Sequence, residues 1–506
     1  MRPWVWALTL ALALPAAADQ KDKKEKDKKA AEKPAAVTPA DLMAQAEQKV
    51  ASGDRDGAVE LLRKAASMEG AGGEPSLRLG RVLESTYDLD SAVDAYRVAA
   101  EQLSGPAKGE ALGRMSVVQE TRGMPEATAT AETAVAVDPS GAWPLIAAAR
   151  ARAREKKGDE AVALAEKAVA AGGGASASTA LGYAQEARGD LTAAEAAYRS
   201  ASEAEPDRIG AKVGLARVLR KTDRAAEAEP ILQAVLASAP GAIEAYKESA
   251  RVKLAQGRAS EAMGDAATAA AMAEGDAEAQ QVMQEVTIAK ALESLRSNQP
   301  DLAVQDLTAL RDKNPDLAEA RVGLAKALLA KRQTEPALAE LAKAVELKPD
   351  LAEAHYQLAY VHHFVKRDAA AALPHYEKAV AADPGNVEYR TNLGAALVAA
   401  KQFDRAAEEL TKVVDSPGYK QPVAWIYLGQ AHLGAKRYKN AIPPLEKAAE
   451  IAPESPDAAA SLAWSYFGLK DAEGFKKYGA KARSLGHKEP TLLQYLSRVE
   501  GGEPIK

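Results

Sequence analysis

Histidine is the residue type whose clustering in this chain could most directly support metal chemistry. Four of the six histidines fall in one short segment, at His355, His362, His363 and His375. Two imidazoles on a helix can share a metal ion when they are four residues apart, because that spacing puts them on one face. The spacings among the first three are seven, eight and one, so we predict packing roles and no metal site.

The rest of the sequence carries no catalytic or nucleotide-binding motif. It has no GxxxxGK[ST] loop, GxGxxG turn, GxSxG elbow or HExxH helix. It has no cysteine, which excludes disulfides, zinc–thiolate sites, iron–sulfur clusters and cysteine nucleophiles. The formal charge of −5 is small for 506 residues and does not favour nucleic-acid binding. We therefore expect no enzyme activity, no cofactor and no small-molecule substrate.

Aromatic residues offer a different kind of chemistry, because large exposed rings are typical anchors of protein interfaces. Of the 24 aromatic residues, 16 lie between Tyr356 and Tyr495, and none lies between Tyr246 and Tyr356. Apolar residues make up 47% of the chain but aromatics only 5%, so much of the apolar content is alanine. Such a composition favours closely packed helices.

The elements that must position these residues follow a period of 34. The stretch PDLAEA occurs at 315–320 and again at 349–354, and Pro206 and Pro240 are also 34 residues apart. An apolar residue followed by a small one recurs in step, at Leu79-Gly80, Leu181-Gly182, Leu215-Ala216, Leu324-Ala325, Leu358-Ala359, Leu393-Gly394, Leu428-Gly429 and Leu462-Ala463. Alanine follows twelve residues after the small one, at Ala92, Ala194, Ala228, Ala337, Ala406 and Ala441. Small residues at these positions allow two antiparallel helices to approach closely.

Residues typical of turns and helix caps also occur in step with the 34-residue period. Gly53-Asp54 and Gly189-Asp190 are each predicted to end one helix with a left-handed glycine and to cap the next with aspartate. In PDLAEA the aspartate is predicted to form a capping box with the glutamate three residues later, Asp316 with Glu319 and Asp350 with Glu353.

These residues resemble the tetratricopeptide repeat, a helix–turn–helix unit of 34 residues. The segment 177–206 matches the family pattern of Leu-Gly, Gly, Ala, Tyr, Ala and Pro. The resemblance implies an all-α, right-handed α-solenoid of about thirteen repeats. Our tiling is 39–72, 73–106, 108–141, 142–174, 175–208, 209–242, 243–276, 284–317, 318–351, 352–386, 387–421, 422–455 and 456–487.

One interruption predicts two sub-arrays. Pro240 and Pro315 are 75 residues apart, seven more than two repeats require. We expect an N-terminal array at 39–276 and a C-terminal array at 277–487 whose first helix is lengthened. Residues 488–506 are predicted to form a terminal cap, because the end repeats of a solenoid need a solvated outer surface.

The resemblance also implies which residues face a partner. Tetratricopeptide arrays bind extended peptides or helices on a concave groove lined by their first helices. Family positions two, five, nine, twelve and thirteen face the groove, and they select Tyr356, Tyr360, His363, Phe364, Ile426, Gln430, Trp464 and Phe467. Asn392 and Tyr427, at position six, are expected close by. Asn392 fits one position of the family's carboxylate clamp, but lysine and arginine do not occupy the neighbouring ones, so we do not expect that clamp.

The N-terminus predicts export. Arg2, the apolar run from Trp4 to Leu14 and the small residues 16–18 have the layout of a secretory signal at 1–18. The Lys- and acid-rich segment 19–38 cannot bury apolar surface and is predicted to be a tether, with at most weak contact to an envelope surface. We expect a periplasmic scaffold that binds partner proteins of a bacterial envelope assembly, such as motility, pilus or polysaccharide-export machinery. The alternative is a periplasmic carbohydrate- or polysaccharide-binding protein whose rings stack on sugars.

Export makes a direct prediction about the mature N-terminus. Cleavage after Ala18 should leave a chain that starts at Asp19. N-terminal sequencing or intact mass measurement of the envelope-associated protein checks this. An intact Met1 on that form would contradict the signal assignment.

Overall fold

The computed structural model describes residues 37–273 and 275–505. The predicted signal at 1–18 and all but the last two residues of the predicted tether at 19–38 lie outside the described residues. Within them the regular elements are 27 α-helices and one short π-helical segment, with no β-strand. None of the helices in this part of the chain combines the length and apolarity needed to cross a bilayer.

Along the chain the helices alternate as first and second members of thirteen helix–turn–helix units, which we call repeats 1 to 13. The first helices are α1 (Pro39–Ala51), α3 (Glu74–Ser85), α5 (Gly105–Thr121), α7 (Ala142–Arg154), α9 (Gly174–Arg188), α11 (Ile209–Lys221), α13 (Ile243–Ala255), α15 (Ala277–Arg296), α17 (Ala318–Ala330), α19 (Ala352–Tyr360), α21 (Val387–Ala399), α23 (Pro422–Gly434) and α25 (Pro456–Gly468). The second helices are α2 (Arg55–Ala66), α4 (Leu89–Gln102), α6 (Ala127–Val137), α8 (Gly158–Ala170), α10 (Leu191–Ala204), α12 (Ala225–Ser238), α14 (Ala259–Met272), α16 (Pro300–Lys313), α18 (Thr334–Leu347), α20 (Ala369–Ala382), α22 (Phe403–Val414), α24 (Tyr438–Ile451) and α26 (Ala472–Ser484). A last helix, α27 (Pro490–Glu500), follows repeat 13.

The turn inside each repeat holds one residue with a left-handed backbone. These residues are Gly53, Tyr87, Gly123, Lys156, Gly189, Asp223, Gly257, Asn298, Arg332, Arg367, Lys401, Lys436 and Lys470. Most consecutive members are 33 to 36 residues apart, so the backbone repeats with the period seen in the sequence. This confirms the predicted all-α solenoid of helix–turn–helix repeats. The one long interval, from Gly257 to Asn298, contains α15, which has 20 residues where α13 has 13.

The described chain forms two compact units. The N-terminal unit runs up to Val252 and includes Met272–Ala277, and the C-terminal unit comprises Lys253–Ala271 and the chain from Glu278 onward. The sub-array boundaries drawn from the repeat tiling, at 39–276 and 277–487, remain a proposal.

Small residues permit close helix contact where the period predicts it. A Cβ atom placed on Gly182 would lie 2.7 Å from Tyr198 Cε1, and one placed on Gly394 would lie 2.5 Å from Leu410 Cγ. Gly80 faces Tyr96 in the same way, and Gly429 faces Leu445. The alanines predicted at the second-helix contact are completely buried, at Ala92, Ala194, Ala228, Ala337, Ala406 and Ala441. In these four repeats a small residue of the first helix therefore lies beneath one large side chain of the second helix.

The predicted glycine–aspartate turns form, whereas the predicted capping boxes do not. Asp54 accepts a hydrogen bond from the Gly57 N–H at 2.9 Å, and Asp190 accepts one from Ala193 at 3.0 Å.

The box predicted for Asp316 is wrong, because the helix starts later. The N-cap of α17 is Leu317, and that of α19 is Leu351, with no side-chain cap at either. The Leu317 N–H donates to the Asn314 carbonyl at 3.1 Å, which turns the leucine onto the apolar core. Leucine burial thus sets the helix start one residue beyond the aspartate.

Two glycine-to-alanine changes test whether small residues lie at the helix contacts, because they should change the free energy of unfolding in opposite directions. Gly394→Ala places its Cβ against Leu410 and should lower the free energy of unfolding by about 1–3 kcal/mol. Gly264→Ala, in α14, has no atom within 4 Å of the new Cβ and should raise it by about 0.5–1 kcal/mol. Urea unfolding of the two variants measures both. Equal effects of the two changes would show that Gly394 does not lie at a helix contact.

Candidate functional site

The ten residues predicted to face a partner differ widely in exposure. Tyr360 and Phe364 are exposed, with 40% and 41% of their surface accessible, whereas Tyr356 is buried at 7%. The others are partly buried: His363, Asn392, Ile426, Tyr427, Gln430, Trp464 and Phe467. Their assignment to a partner surface stays a prediction.

A π-helical turn shapes the most exposed part of this set. Helix α19 continues as a π-helix over Val361–Val365, closed by a bond from the Lys366 N–H to the Val361 carbonyl at 2.9 Å. The α and π segments together have one residue more than α17 or α21, and the repeat is 35 residues long from Pro349 to Pro384. A π-turn absorbs a single inserted residue within a helix, and such turns are frequent at functional sites.

The inserted turn displays three apolar side chains next to one another. Tyr360, Phe364 and Val365 are 40%, 41% and 49% exposed, and we call them the π-turn patch. The rings of Tyr360 and Phe364 are 5.0 Å apart between centroids, tilted by 45°. No other six-residue window in the described part of the chain exposes three large apolar side chains. The patch is thus a local concentration of uncovered apolar surface.

Tyr356 lies beneath the patch in a hydrogen-bonded network that spans two repeats. Its hydroxyl donates to Glu388 Oε1 at 2.6 Å and accepts from Asn392 Nδ2 at 3.1 Å. Its ring stacks on Tyr389 at 4.7 Å. The Tyr389 hydroxyl donates back to Glu353 Oε2 at 2.7 Å. The structure therefore connects Tyr356 and Asn392, both predicted to face a partner, by a hydrogen bond within the protein. These two residues support the exposed patch from beneath.

The carboxylates in this network are electrostatically compensated. Burial tends to raise the pKa of Glu353, but the Lys326 ammonium at 2.6 Å and hydrogen bonds from Gln357 and Tyr389 hold that pKa below its usual value. Burial and the hydrogen bond to Glu388 raise the pKa of Tyr356, so its hydroxyl keeps its proton. The two carboxylates beneath the patch are thus paired or hydrogen-bonded within the protein, and the three patch side chains carry no charge.

Trp464 and Phe467 belong to a second aromatic cluster, formed with the terminal helix α27. Tyr495 of that helix lies 6.1 Å from Trp464 and 5.0 Å from Phe467 between ring centroids. The Trp464 indole N–H donates to Glu489 Oε2 at 3.1 Å. Helix α27 therefore covers part of these two rings, which sequence reasoning did not anticipate.

The histidine cluster joins the two helices of repeat 10. His355 Nε2 lies 2.9 Å from the Pro349 carbonyl oxygen, and His355 Nδ1 lies 3.0 Å from His375 Nδ1. Since the carbonyl can only accept, His355 carries its proton on Nε2, and His375 donates to the free Nδ1. Among the described residues no group of three or more His, Cys, Asp or Glu side chains is arranged to hold a metal ion. The arrangement is a hydrogen-bonded pair of histidines that joins α19 to α20.

Sequence reasoning missed a ladder of ion pairs on the first helices of the N-terminal unit. Arginine in one repeat contacts glutamate in the preceding or following one: Arg114 with Glu84 at 3.0 Å, Arg150 with Glu120, Arg217 with Glu186 at 3.3 Å, and Arg220 with Glu248 at 2.5 Å. The signal was present as arginine and glutamate at recurring first-helix positions. Scattered charges usually indicate a solvated surface, which is why the pattern was not informative.

The helix pairs define an α-solenoid built of helix–turn–helix repeats. Family models described as tetratricopeptide repeat match residues 43–106, 186–248, 294–360 and 366–416. The chain is therefore a tetratricopeptide repeat protein, and such proteins are generally interaction scaffolds that bind proteins or peptides.

Comparisons with known proteins gave solved structures but no curated sequence. PilW, a type IV pilus biogenesis factor, is 18% identical with a TM-score of 0.37, over 42% of this chain and 98% of that one. YrrB, a tetratricopeptide protein with an unusual peptide-binding site, is 24% identical with a TM-score of 0.34, over 38% and 97%. PilF of Pseudomonas aeruginosa is 24% identical with a TM-score of 0.33, over 37% and 83%. No curated protein matches the sequence.

The histidine pair predicts a pH-dependent loss of stability. Burial, and then the charges of His355, His362 and Lys378, lower the pKa of His375 from 6.5 to about 4. Between these values the unfolded chain binds more protons than the folded one, so stability falls as pH drops from about 6.5 to about 4.

His375→Gln keeps an N–H donor but cannot titrate. Wild-type protein should therefore lose stability more steeply than this variant between pH 7 and pH 4, as measured by urea unfolding at each pH. Parallel pH profiles would show that His375 is not buried as a neutral group.

Proposed function

We propose that this chain is a non-enzymatic scaffold that binds partner proteins on the first-helix surface of its C-terminal unit. The observation that carries the proposal is the π-turn patch, three exposed apolar side chains on one turn of a first helix. Large apolar groups left together in solvent usually mark an interaction surface.

The patch has the energetic properties of an interface anchor. Fully burying a Phe or Val side chain contributes about 1.5–3 kcal/mol relative to leaving it in water, and covering the exposed part of each patch side chain contributes a fraction of that. The Tyr356 network holds the underlying first helices α19 and α21 together through Glu388 and Asn392. A surface held in this way loses little conformational freedom on binding, so more of the contact energy appears as affinity.

Because the side chains of the π-turn patch are uncharged, the patch favours a partner that binds through an apolar, uncharged segment. Glu353 and Glu388 already have partners within the protein. A charged group placed against the Tyr360 and Phe364 rings would lose hydration without gaining a counter-charge from those rings. We therefore propose a partner that inserts aliphatic or aromatic side chains beside Tyr360 and Phe364. Three further predicted residues, Ile426, Tyr427 and Gln430 on α23, extend the proposed surface by two repeats.

The proposed setting is a bacterial cell envelope after export to the periplasm. Support comes from the signal-like sequence at 1–18, followed by a lysine- and acid-rich segment and an array without cysteine. The assembly would be of the motility, pilus or polysaccharide-export type, in which many proteins must be held together. An extended repeat surface suits that task because several partners can bind along it.

Site-specific photo-crosslinking tests the binding surface directly. A benzophenone amino acid replaces Phe364 in one protein and Val169, an exposed residue of α8, in a matched control. Irradiation of living cells should crosslink an envelope protein to position 364 and not to position 169. Crosslinks from both positions to the same proteins would reflect random collision and would contradict the proposed surface.

Quantitative binding to the crosslinked partner then tests the anchors. Tyr360→Ala/Phe364→Ala should weaken Kd by roughly 10- to 100-fold, because interface aromatics often contribute 1 kcal/mol or more each. Val98→Ala/Val169→Ala removes exposed apolar groups elsewhere and should leave Kd unchanged. If the aromatic variant instead loses binding to a purified envelope glycan while protein binding persists, the carbohydrate alternative replaces this proposal.

A further inference from the structure

Tyr87 occupies a backbone position that a bulky residue rarely adopts. It lies in the turn between α3 and α4 with φ of 64°. In the other repeats the equivalent residue is glycine, lysine, arginine, asparagine or aspartate. Left-handed backbone is disfavoured for large side chains, and it persists where the surroundings fix it.

The surroundings of Tyr87 come from two distant parts of the N-terminal unit. Its side chain packs against the apolar core of repeats 1 to 3 and also against the core that includes Leu219 and Val252 of repeats 6 and 7. Its Cδ1 atom lies 3.8 Å from a Cβ placed on Gly241, just before α13. The turn of repeat 2 therefore contacts the start of repeat 7.

The hydroxyl end of Tyr87 lies among charges of the same two regions. Burial and the Glu244 carboxylate raise the pKa of Tyr87, while Lys247, Arg122 and Arg150 act in the opposite direction. Glu244 and Lys247 belong to α13, whereas Arg122 and Arg150 belong to repeats 3 and 4. Charges of repeats 3, 4 and 7 thus all act on the hydroxyl of a residue in repeat 2.

A second contact joins the turn of repeat 3 to the segment that follows α14. A Cβ placed on Gly123, in the turn of repeat 3, would lie 3.8 Å from Asp276 Oδ1. Asp276 pairs with Lys247 at 3.1 Å, and Lys247 also pairs with Glu244 at 2.6 Å. Lys247 is only 3% exposed, so this cation lies inside the unit.

The first-helix surface enclosed by these contacts is filled by the protein's own ion pairs. Glu248 is 3% exposed and accepts from Arg220 Nε at 2.5 Å. The Arg150 guanidinium pairs with Glu120 and lies 5.0 Å from the Tyr183 ring centroid. Separating buried ion pairs to admit a partner would leave uncompensated charges, which is strongly unfavourable.

We infer that Tyr87 is a latch that joins repeat 2 to repeat 7 and makes the first-helix surface of the N-terminal unit a structural interior, closed to partners. The latch concerns the N-terminal unit alone and does not depend on the function proposed for the C-terminal unit.

Tyr87→Lys opens the latch without disturbing the turn. Lysine already occupies the equivalent left-handed position at Lys156, Lys401, Lys436 and Lys470, so the variant should fold. Hydrogen exchange of the full chain should then accelerate by about tenfold in 242–248, although that segment is far from residue 87 in sequence. Tyr87→Phe keeps the packed ring and should leave exchange there unchanged. Arg332→Lys, at the equivalent position in repeat 9, should alter exchange only at its own turn.

Unchanged exchange at 242–248 in Tyr87→Lys, or equal acceleration in Tyr87→Phe, would overturn the latch. A test without substitution uses tyrosine nitration followed by peptide mass spectrometry. Tyr87 should react about tenfold more slowly than Tyr360 and Tyr495, which are exposed. Reaction of Tyr87 at their rate would show that repeat 2 does not lie against repeat 7.

Discussion

The rest of the structure depends on the close approach of two antiparallel helices, made possible where a small residue faces a large one. Gly182 lies beneath Tyr198, and Gly394 lies beneath Leu410, with no room for a Cβ atom in between. Interiors pack to near-crystalline density, so each such contact fixes the distance and register of its helix pair. Repeating the contact every 34 residues produces a solenoid in which each pair buries its apolar surface against the next.

Strict repetition would make all repeats equivalent, so departures from the period show where individual repeats have acquired their own properties. The extra residue of repeat 10 becomes a π-turn that displays Phe364 and Val365. The seven extra residues after Gly257 lengthen α15. Repeat 2 differs from the other repeats in the type of one residue. Its left-handed turn position holds Tyr87, whereas the other repeats have glycine or a flexible side chain there.

The sequence predicted the features that are local or periodic. The helix pairs, the small residues at their contacts and the Gly-Asp turns all follow from spacing, and the structure confirms them. The capping box at Asp316 failed because the next residue, Leu317, packs against the apolar core and serves as the N-cap, and a cap motif contains no information about that packing.

Tertiary contacts account for what the sequence could not predict at the candidate site. Family position alone could not distinguish the exposed Tyr360 from the buried Tyr356, since their difference arises from Tyr389 and Glu388 in the next repeat. The cover that α27 places over Trp464 comes from a helix outside the repeat pattern. The contact of Tyr87 with repeat 7 joins residues more than four repeats apart, beyond the reach of any local pattern.

We propose that partners bind the first-helix surface of the C-terminal unit and not that of the N-terminal unit. Hydrogen exchange of the full chain, measured free and saturated with a crosslinked partner, tests it most directly. We expect new protection in α19, the π-turn, α21 and α23, with the first helices of the N-terminal unit unchanged. Protection confined to the second helices, or appearing in α5, α7 and α9, would contradict it.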